Sequence, residues 1–330
     1  MSSWLAIRRL SRRLLCSVLM ASGIVLPLGA QEYPVKPIRF IVPFPPGGGT
    51  DITARSISTG LTEALGQTVL IDNRAGAGGV IGADMAAKSA PDGYTLLLGS
   101  PGPMTINPNL GPVPYDPLKD FSPISLVTIS PFLLLVNPAV PAKSVKELIA
   151  LAKAKPNSLN FGTAGVGSTA HLAGEQFKVI SGVQITHVPY KGASQSLIAL
   201  LSGEAQIGVE SLPVVLTHIR TGKLRVLAVG TRTRSPIVPE YPTMQEAGVP
   251  GYEQTTASGV LVPARTPASI IARLNAEIIK ILQKREVREQ LVTLGTQALG
   301  GTPEQYAEHL RNEFAMYARV IKAAGIKRED

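Results

Sequence analysis

The stretch Ile38-Arg39-Phe40-Ile41-Val42-Pro43-Phe44-Pro45-Pro46-Gly47-Gly48-Gly49-Thr50-Asp51 sets the fold class. Its first five residues are almost continuously apolar, as a strand buried in a parallel sheet must be. The prolines and glycines that follow permit neither strand nor helix, so the chain turns. Ala54, Ile57, Leu61, Ala64 and Leu65 then recur on one helical face, and Gly66 closes the helix. Strand, glycine-rich turn and helix form the repeating unit of an α/β sheet. The turn stands at the strand's carboxyl end, where such sheets bind ligands.

The same grammar continues outward. Strands are expected at 68–71, 94–98, 124–129, 132–136, 159–161, 184–188, 206–209 and 224–229, with helical patterns between them, including 193–201. Ser144-Val145-Lys146-Glu147 reads as a capping box opening a helix that stops before Pro156. This alternation specifies an α/β architecture with parallel sheets. The C-terminal quarter reads as helical. Thr266-Pro267 is taken as an N-cap followed by Pro at the first helical position, ahead of the stripe Ile270, Ile271, Leu274, Ile278 and Ile281. Thr302-Pro303-Glu304-Gln305 repeats the device, and Tyr306, Leu310, Phe314, Tyr317 and Ile321 form a stripe read as core. No internal repeat and no Ser/Gly linker divides the chain, so any two domains must be joined by crossing strands.

Composition narrows the function. Of 330 residues, 45% are hydrophobic and 17% charged, which excludes a disordered chain. Residues 1–30 read as a secretory signal peptide. Arg8, Arg9, Arg12 and Arg13 precede an apolar run that starts at Leu14, and Leu28-Gly29-Ala30 offers a small residue for cleavage. The apolar run is shorter than the roughly 20 residues a spanning helix needs. The whole chain carries +9; without the four signal arginines, 28 basic residues face 23 acidic ones, a net +5. That mild excess attracts small anions, and no basic run interleaved with aromatics points to nucleic acid. The one cysteine, Cys16, lies in the signal, so an internal disulfide, a cysteine zinc cage and a CxxC redox pair are excluded. HExxH, GxSxG, GxxxxGK[ST] and EF-hand patterns are absent, and His171, His187, His218 and His309 lack metal-ligand spacing. Neither cofactor nor metal is expected.

Gly165-Val166-Gly167-Ser168-Thr169-Ala170 fits the dinucleotide pattern GxGxxG/A. The next strand, Gln184-Ile185-Thr186-His187-Val188, carries no acid for a ribose, which rules out nicotinamide binding. What survives is a turn offering backbone N–H groups and a helix N-terminus to an anion. Gly47-Gly48-Gly49-Thr50-Asp51 and Asn73-Arg74-Ala75-Gly76-Ala77-Gly78-Gly79 offer the same. One such turn would need no ligand, since glycine permits tight turns. Three of them, with the hydroxyls of Ser168 and Thr169, point to a small anion. Asp51 is read as ordering its loop or meeting a ligand ammonium or water. Tyr190 is a candidate to stack or hydrogen-bond. Lys191 either pairs with a carboxylate or is a solvated turn residue. His171 joins the candidates. Glu210, at a strand's carboxyl end, has two readings. It either faces a cleft, repelling a pure anion and favouring an ammonium or hydroxyl, or it is a solvated acid outside the cleft.

Six segments in order resemble the periplasmic solute-binding proteins of tripartite tricarboxylate transporters. They are Pro43–Asp51, Asn73–Gly79, Gly162–Ser168, His187-Val188-Pro189-Tyr190-Lys191-Gly192, Pro242-Thr243-Met244-Gln245-Glu246-Ala247-Gly248 and Pro263-Ala264-Arg265-Thr266-Pro267. The resemblance implies a two-domain periplasmic binding protein, a Venus flytrap of type II-like architecture, each domain a doubly wound α/β sheet flanked by helices. The expected domains are 31–128 plus 251–330, completed by the C-terminal helices, and 129–250. The implied ligand is a small carboxylate: a di- or tricarboxylate, an acidic amino acid or an aromatic acid. It would lie between the domains against Phe44, Pro46, Gly47, Gly48, Gly49 and Thr50 and against the turn from Thr163 through Gly165, Gly167 and Ser168 to Thr169, held largely by backbone N–H groups and waters. The implied partner is the integral-membrane permease of a tripartite carrier, and a monomer that performs no catalysis is expected. The rivals are a sensory co-receptor that presents its ligand to a sensor protein, and an enzyme on the same fold. Two places depart from the family's pattern: Glu210, and Thr255-Thr256-Ala257-Ser258, where an aromatic is common.

Overall fold

A computed structural model describes residues 33–47 and 49–326. The expected signal peptide, Cys16 and Gly48 lie outside the described residues. Strand β1 (Ile38–Val42) leads through the proline–glycine turn into α1 (Gly49–Leu65) and then β2 (Val69–Asn73), α2 (Val80–Ala87) and β3 (Thr95–Gly99). A π-helical turn at Gly102–Ile106 and the short α3 (Asn107–Leu110) follow. The three strands are parallel in the order β2-β1-β3. The chain therefore reverses its direction of winding beside β1 and β3, and their carboxyl ends flank a crevice.

One long strand, β4 (Phe121–Val136), carries the sheet onward. The sequence reading gives two strands here, 124–129 and 132–136. The division does not occur. Pro131 stands where the strand changes partners, so the missing donor falls at a boundary between ladders. Up to Pro131, β4 pairs antiparallel with β9 (Thr255–Pro263), which itself lies antiparallel against β3. From Phe132 it pairs antiparallel with β7 (Ile207–Ser211) and β8 (Arg225–Val229). The strands β5 (Asn160–Thr163) and β6 (Thr186–Pro189) complete the second half, parallel to β7 in the order β7-β5-β6. Each half is thus a mixed sheet, its parallel strands extended by antiparallel crossing strands, rather than the purely parallel sheet the alternation suggested.

The helices cover both faces. In the second half, alternate β4 residues separate the layers. Leu134 and Val136 pack with Phe161, Val209 and the α5 (Thr169–Ser181) residues Ala170, Ala173 and Phe177. Leu133 and Leu135 pack on the other face with Leu200 of α6 (Ala193–Ser202) and Leu212, Val215 and Leu216 of α7 (Leu212–Arg220). Helix α4 (Val145–Ala154) starts at Ser144, whose Oγ accepts the Glu147 N–H, while Glu147 accepts the N–H of Lys143 rather than that of Ser144.

The C-terminal helices α8 (Ala268–Gln283), α9 (Arg285–Thr293) and α10 (Pro303–Ala324) return to the first half, with the two-residue β10 (Gln297–Ala298) beside β4. Helix α8 begins one residue later than expected. Thr266 does not cap it, because its hydroxyl donates to the Pro263 carbonyl, and Pro267 takes the cap position. The Thr302–Gln305 capping box of α10 forms in full. Tyr306, Leu310, Tyr317 and Ile321 of the stripe are buried, whereas Phe314 is only half-buried.

Candidate functional site

The first turn is organised by Asp51. Its carboxylate is buried and accepts hydrogen bonds from the Gly47 N–H (2.9 Å), Arg55 Nε (2.8 Å) and Asn73 Nδ2 (3.0 Å). Burial alone would raise its pKa. The donors, led by Arg55, outweigh burial and hold the group below the usual carboxylate range. Asp51 therefore orders the loop, one of the two roles expected. Asn73 also donates to the Phe44 carbonyl (3.0 Å). The Phe44 ring lies over glycines: a Cβ on Gly79 would stand 3.2 Å from its Cζ, and one on Gly102 3.4 Å. Asn107 Nδ2 ties the same two segments together, donating to Gly78 O (3.1 Å) and Gly102 O (2.9 Å). The turns after β1, β2 and β3 are thus one assembly. Pro46, Gly47 and Gly49 are exposed on it and Thr50 is half-buried.

The second turn is held by two histidines whose pairing was not legible from spacing. The rings of His171 and His187 stack with centroids 4.0 Å apart and planes 14° from parallel. His171 Nδ1 accepts the Gly167 N–H (3.2 Å), so its proton sits on Nε2. His187 Nε2 lies 2.7 Å from Thr163 Oγ1, and the Gly165 N–H donates to that hydroxyl (3.3 Å). Burial first, then the stacked His187 ring and Lys178, push His171 down to about 3, and burial followed by Lys178 pushes His187 to about 4. Both rings are neutral at pH 7. Ser168 caps α5: its Oγ accepts the His171 N–H (3.2 Å), and its own N–H donates to Gly165 O (3.2 Å). The N–H groups of Gly165, Gly167 and Ser168 are therefore engaged inside the turn. Those of Thr169 and Ala170, in the first helical turn, have no intrahelical partner.

The two assemblies meet. Gly167 has a φ of 76°, and a Cβ there would lie 2.7 Å from Leu110 Cδ1 and 3.9 Å from Asn107 Oδ1. Only glycine allows this approach.

Three candidates lie outside the glycine turns themselves, although Tyr190 abuts the second one, its N–H donating to Thr163 O (2.9 Å) and its carbonyl oxygen 3.3 Å from where a Cβ on Gly165 would stand. Tyr190 folds back along the sheet over Gly162 and its hydroxyl donates to Glu204 (2.8 Å); burial first, then Glu204, pushes its pKa up to about 12. Lys191 is exposed, its N–H bonded to the Gln195 side chain. Glu210 is 4% exposed, so the solvated reading does not hold. It pairs with Leu133 across the sheet and so shares the face of α6 and α7. Its Oε1 lies 3.4 Å from the Ser196 hydroxyl, and burial lifts its pKa to about 8. A cavity of about 330 Å³ beside Pro108, Tyr115 and Phe314, and another of about 220 Å³ beside Asn137 and Gln206, contain none of the nominated residues. Among the described residues, no cluster of three or more His, Cys, Asp or Glu could hold a metal ion, and no helix is long and apolar enough to cross a membrane.

Residues 53–326 match the sequence profile of the tripartite tricarboxylate transporter family receptor. The chain is 42% identical over 308 residues to Protein BugT of Bordetella pertussis, covering 93% of this chain and 94% of that one. Among solved structures it is similar to R. palustris Rpa4515 with adipate, at a TM-score of 0.82 and 38% identity, covering 90% of this chain and 99% of that one. It is also similar to MatC from Rhodopseudomonas palustris with bound malate, at a TM-score of 0.78 and 33% identity, covering 88% and 100%.

Proposed function

Because the chain belongs to the tripartite tricarboxylate transporter receptor family, a family of two-lobed periplasmic binding proteins, we propose that it captures a small carboxylate in the periplasm and delivers it to a membrane permease. One observation carries the reading. Each half carries a glycine-rich turn at a strand's carboxyl end where the winding reverses, and the second of these turns meets the first half where Gly167 faces Leu110 of α3. Each turn opens a helix of thirteen or more residues, so each half offers one positive dipole end to an anion. A dicarboxylate matches that geometry with one acid group per helix end. Adipate and malate, bound by two relatives, are such acids.

The lobes are assigned as 31–128 plus 251–330 and 129–250, joined where β4 changes partners after Pro131 and where the chain returns through Gln254. In the second lobe the donors are assigned to Thr169 and Ala170 rather than to Gly165 and Gly167, whose N–H groups are spoken for. No catalytic step is assigned: the two histidines of the turn are held neutral and bonded within it. Isothermal titration of the mature chain with adipate, malate, glutamate and benzoate tests the reading, with mass spectrometry of small molecules released from protein purified from its native host. Binding of at least one carboxylate is expected. A chain that binds none and releases no acid would overturn it.

A further inference from the structure

Beneath the N-terminus of α1 the sheet carries a row of buried hydroxyls. The register of β3 against β9 pairs Leu97 with Leu261, Leu98 with Val260 and Gly99 with Gly259. One step further sets Ser100 opposite Ser258, and Ser258 pairs on its other side with Thr128 of β4. Cross-strand partners share a face. Cβ atoms on Gly99 and Gly259 would both point at Tyr306, so Ser100 and Ser258 point to the opposite face. That face is the one α1 covers, since Thr53 Oγ1 in its second turn lies 3.3 Å from Thr128 Oγ1. Ser100, Ser258 and Thr128 are 8%, 7% and 2% exposed. The Ser100 hydroxyl is buried without a hydrogen-bond partner among the described residues.

A buried hydroxyl with no partner is costly, and native proteins rarely retain one without a use. This one stands at the carboxyl end of β3, beside the reversal of winding. The first-turn N–H groups of α1 above it lack intrahelical partners. The nearby acid, Asp51, directs its charge away to Arg55, Gly47 and Asn73. We propose that Ser100 and Ser258 form the first lobe's carboxylate subsite, donating hydroxyl hydrogens to one acid group of the ligand held at the α1 N-terminus. This rests on the carboxylate reading above and deepens it: the acid is recognised by neutral hydroxyls, with no cationic side chain, so the subsite selects a carboxylate rather than an ammonium.

The test compares the wild type with Ser100→Ala and Ser258→Ala, using thermal melting of the free proteins and calorimetry with adipate, malate, glutamate and benzoate. Removing an unpartnered hydroxyl should leave the free protein's Tm unchanged or raised. Affinity for whichever acid the wild type binds should fall roughly ten- to hundredfold in each variant, the span of a hydrogen bond to a charged group. If the wild type binds and both variants bind within twofold of it, the subsite is refuted while the carboxylate reading stands. If Ser100→Ala lowers Tm and leaves affinity unchanged, the hydroxyl is structural and the subsite is again refuted. If the wild type binds none of the four, the carboxylate reading falls and takes the subsite with it. Should Ser100→Ala not fold, Ser258→Ala decides alone.

Discussion

Replacing Glu210 by glutamine should remove one contribution to the protein's stability, a contribution that shrinks as pH rises. The carboxyl group is 4% exposed, and the only hydrogen bond found for it among the described residues comes from Ser196. Burial holds its proton up to about pH 8, against 4.5 for a free glutamate. Between those values the unfolded chain has released the proton and the folded chain keeps it, so folding takes up a proton at this group and its contribution to stability falls as pH rises. At about 1.4 kcal/mol per pH unit the full span is worth about 5 kcal/mol, a large share of an ordinary protein's stability. Glutamine has nearly the same shape, can accept the same Ser196 bond and does not titrate. Urea denaturation of both proteins from about pH 4.5 to 8.5 should show the Glu210→Gln variant gaining on the wild type by about 4–5 kcal/mol across the range, with little difference at the acid end. Parallel profiles, within about 1 kcal/mol throughout, would refute the buried protonated acid. A neutral Glu210 also removes the repulsion of anions expected of an ionised one, so the same substitution should change affinity for a dicarboxylate little at pH 7.

His171→Phe should keep the stack on His187 but leave the Gly167 N–H without an acceptor, lowering stability by about 1–3 kcal/mol in urea denaturation. Because His171 and His187 are held neutral far below the usual 6.5, wild-type stability should erode as pH falls from about 6.5 towards 4, and His171→Phe should erode less steeply over that window. Gly167→Ala should cost about 1–2 kcal/mol in the same assay from its left-handed backbone alone, with the clash against Leu110 adding to it. Asp51→Ala strips the acceptor from Gly47, Arg55 and Asn73. It should weaken binding of any carboxylate the wild type takes up and lower Tm, and a Tm equal to wild type would show that the loop does not depend on this acid.

What the sequence made legible was local. The apolar run at 38–42, the proline–glycine turn and the helical stripe each rest on neighbours a few residues apart, and each appears where expected. The continuity of β4 through Pro131 was not legible, because the ladders that carry it depend on β7, β8 and β9, strands far along the chain. The glycines of the second turn were read as open donors. That reading required knowing where His171 and His187 point, and the stack that aims them is a tertiary contact between α5 and β6. Ser100 and Ser258 carry no signal alone, since lone serines beside strands are common. Their significance comes from an antiparallel register between β3 and β9 that neither segment's pattern encodes.

Helix α5 connects the turn to the crossing between the two halves of the sheet. Leu172, one residue beyond His171, is fully buried with Ile106 and with Tyr317, Val320 and Ile321 of α10. One turn further, Gln176 accepts a hydrogen bond from Gln254 Nε2 (2.9 Å), and Tyr317 donates to Gln254 Oε1 (3.3 Å). Gln254 is the residue just before β9. Its N–H donates to Gly230 O (2.7 Å), and a Cβ on Gly230 would lie 2.5 Å from its carbonyl oxygen. The helix to whose first turn the proposed ligand contacts are assigned is therefore packed and hydrogen-bonded at the place where the chain passes between the two halves of the sheet. A ligand drawn to the α5 N-terminus pulls on a rigid element whose other contacts lie at that passage. Closely packed interfaces of this kind respond by moving as bodies rather than by bending. In the proposed receptor, lobe closure is expected as a rotation at the two crossings, Pro131 and Gln254, driven by ligand contacts made only when both helix ends reach the same acid.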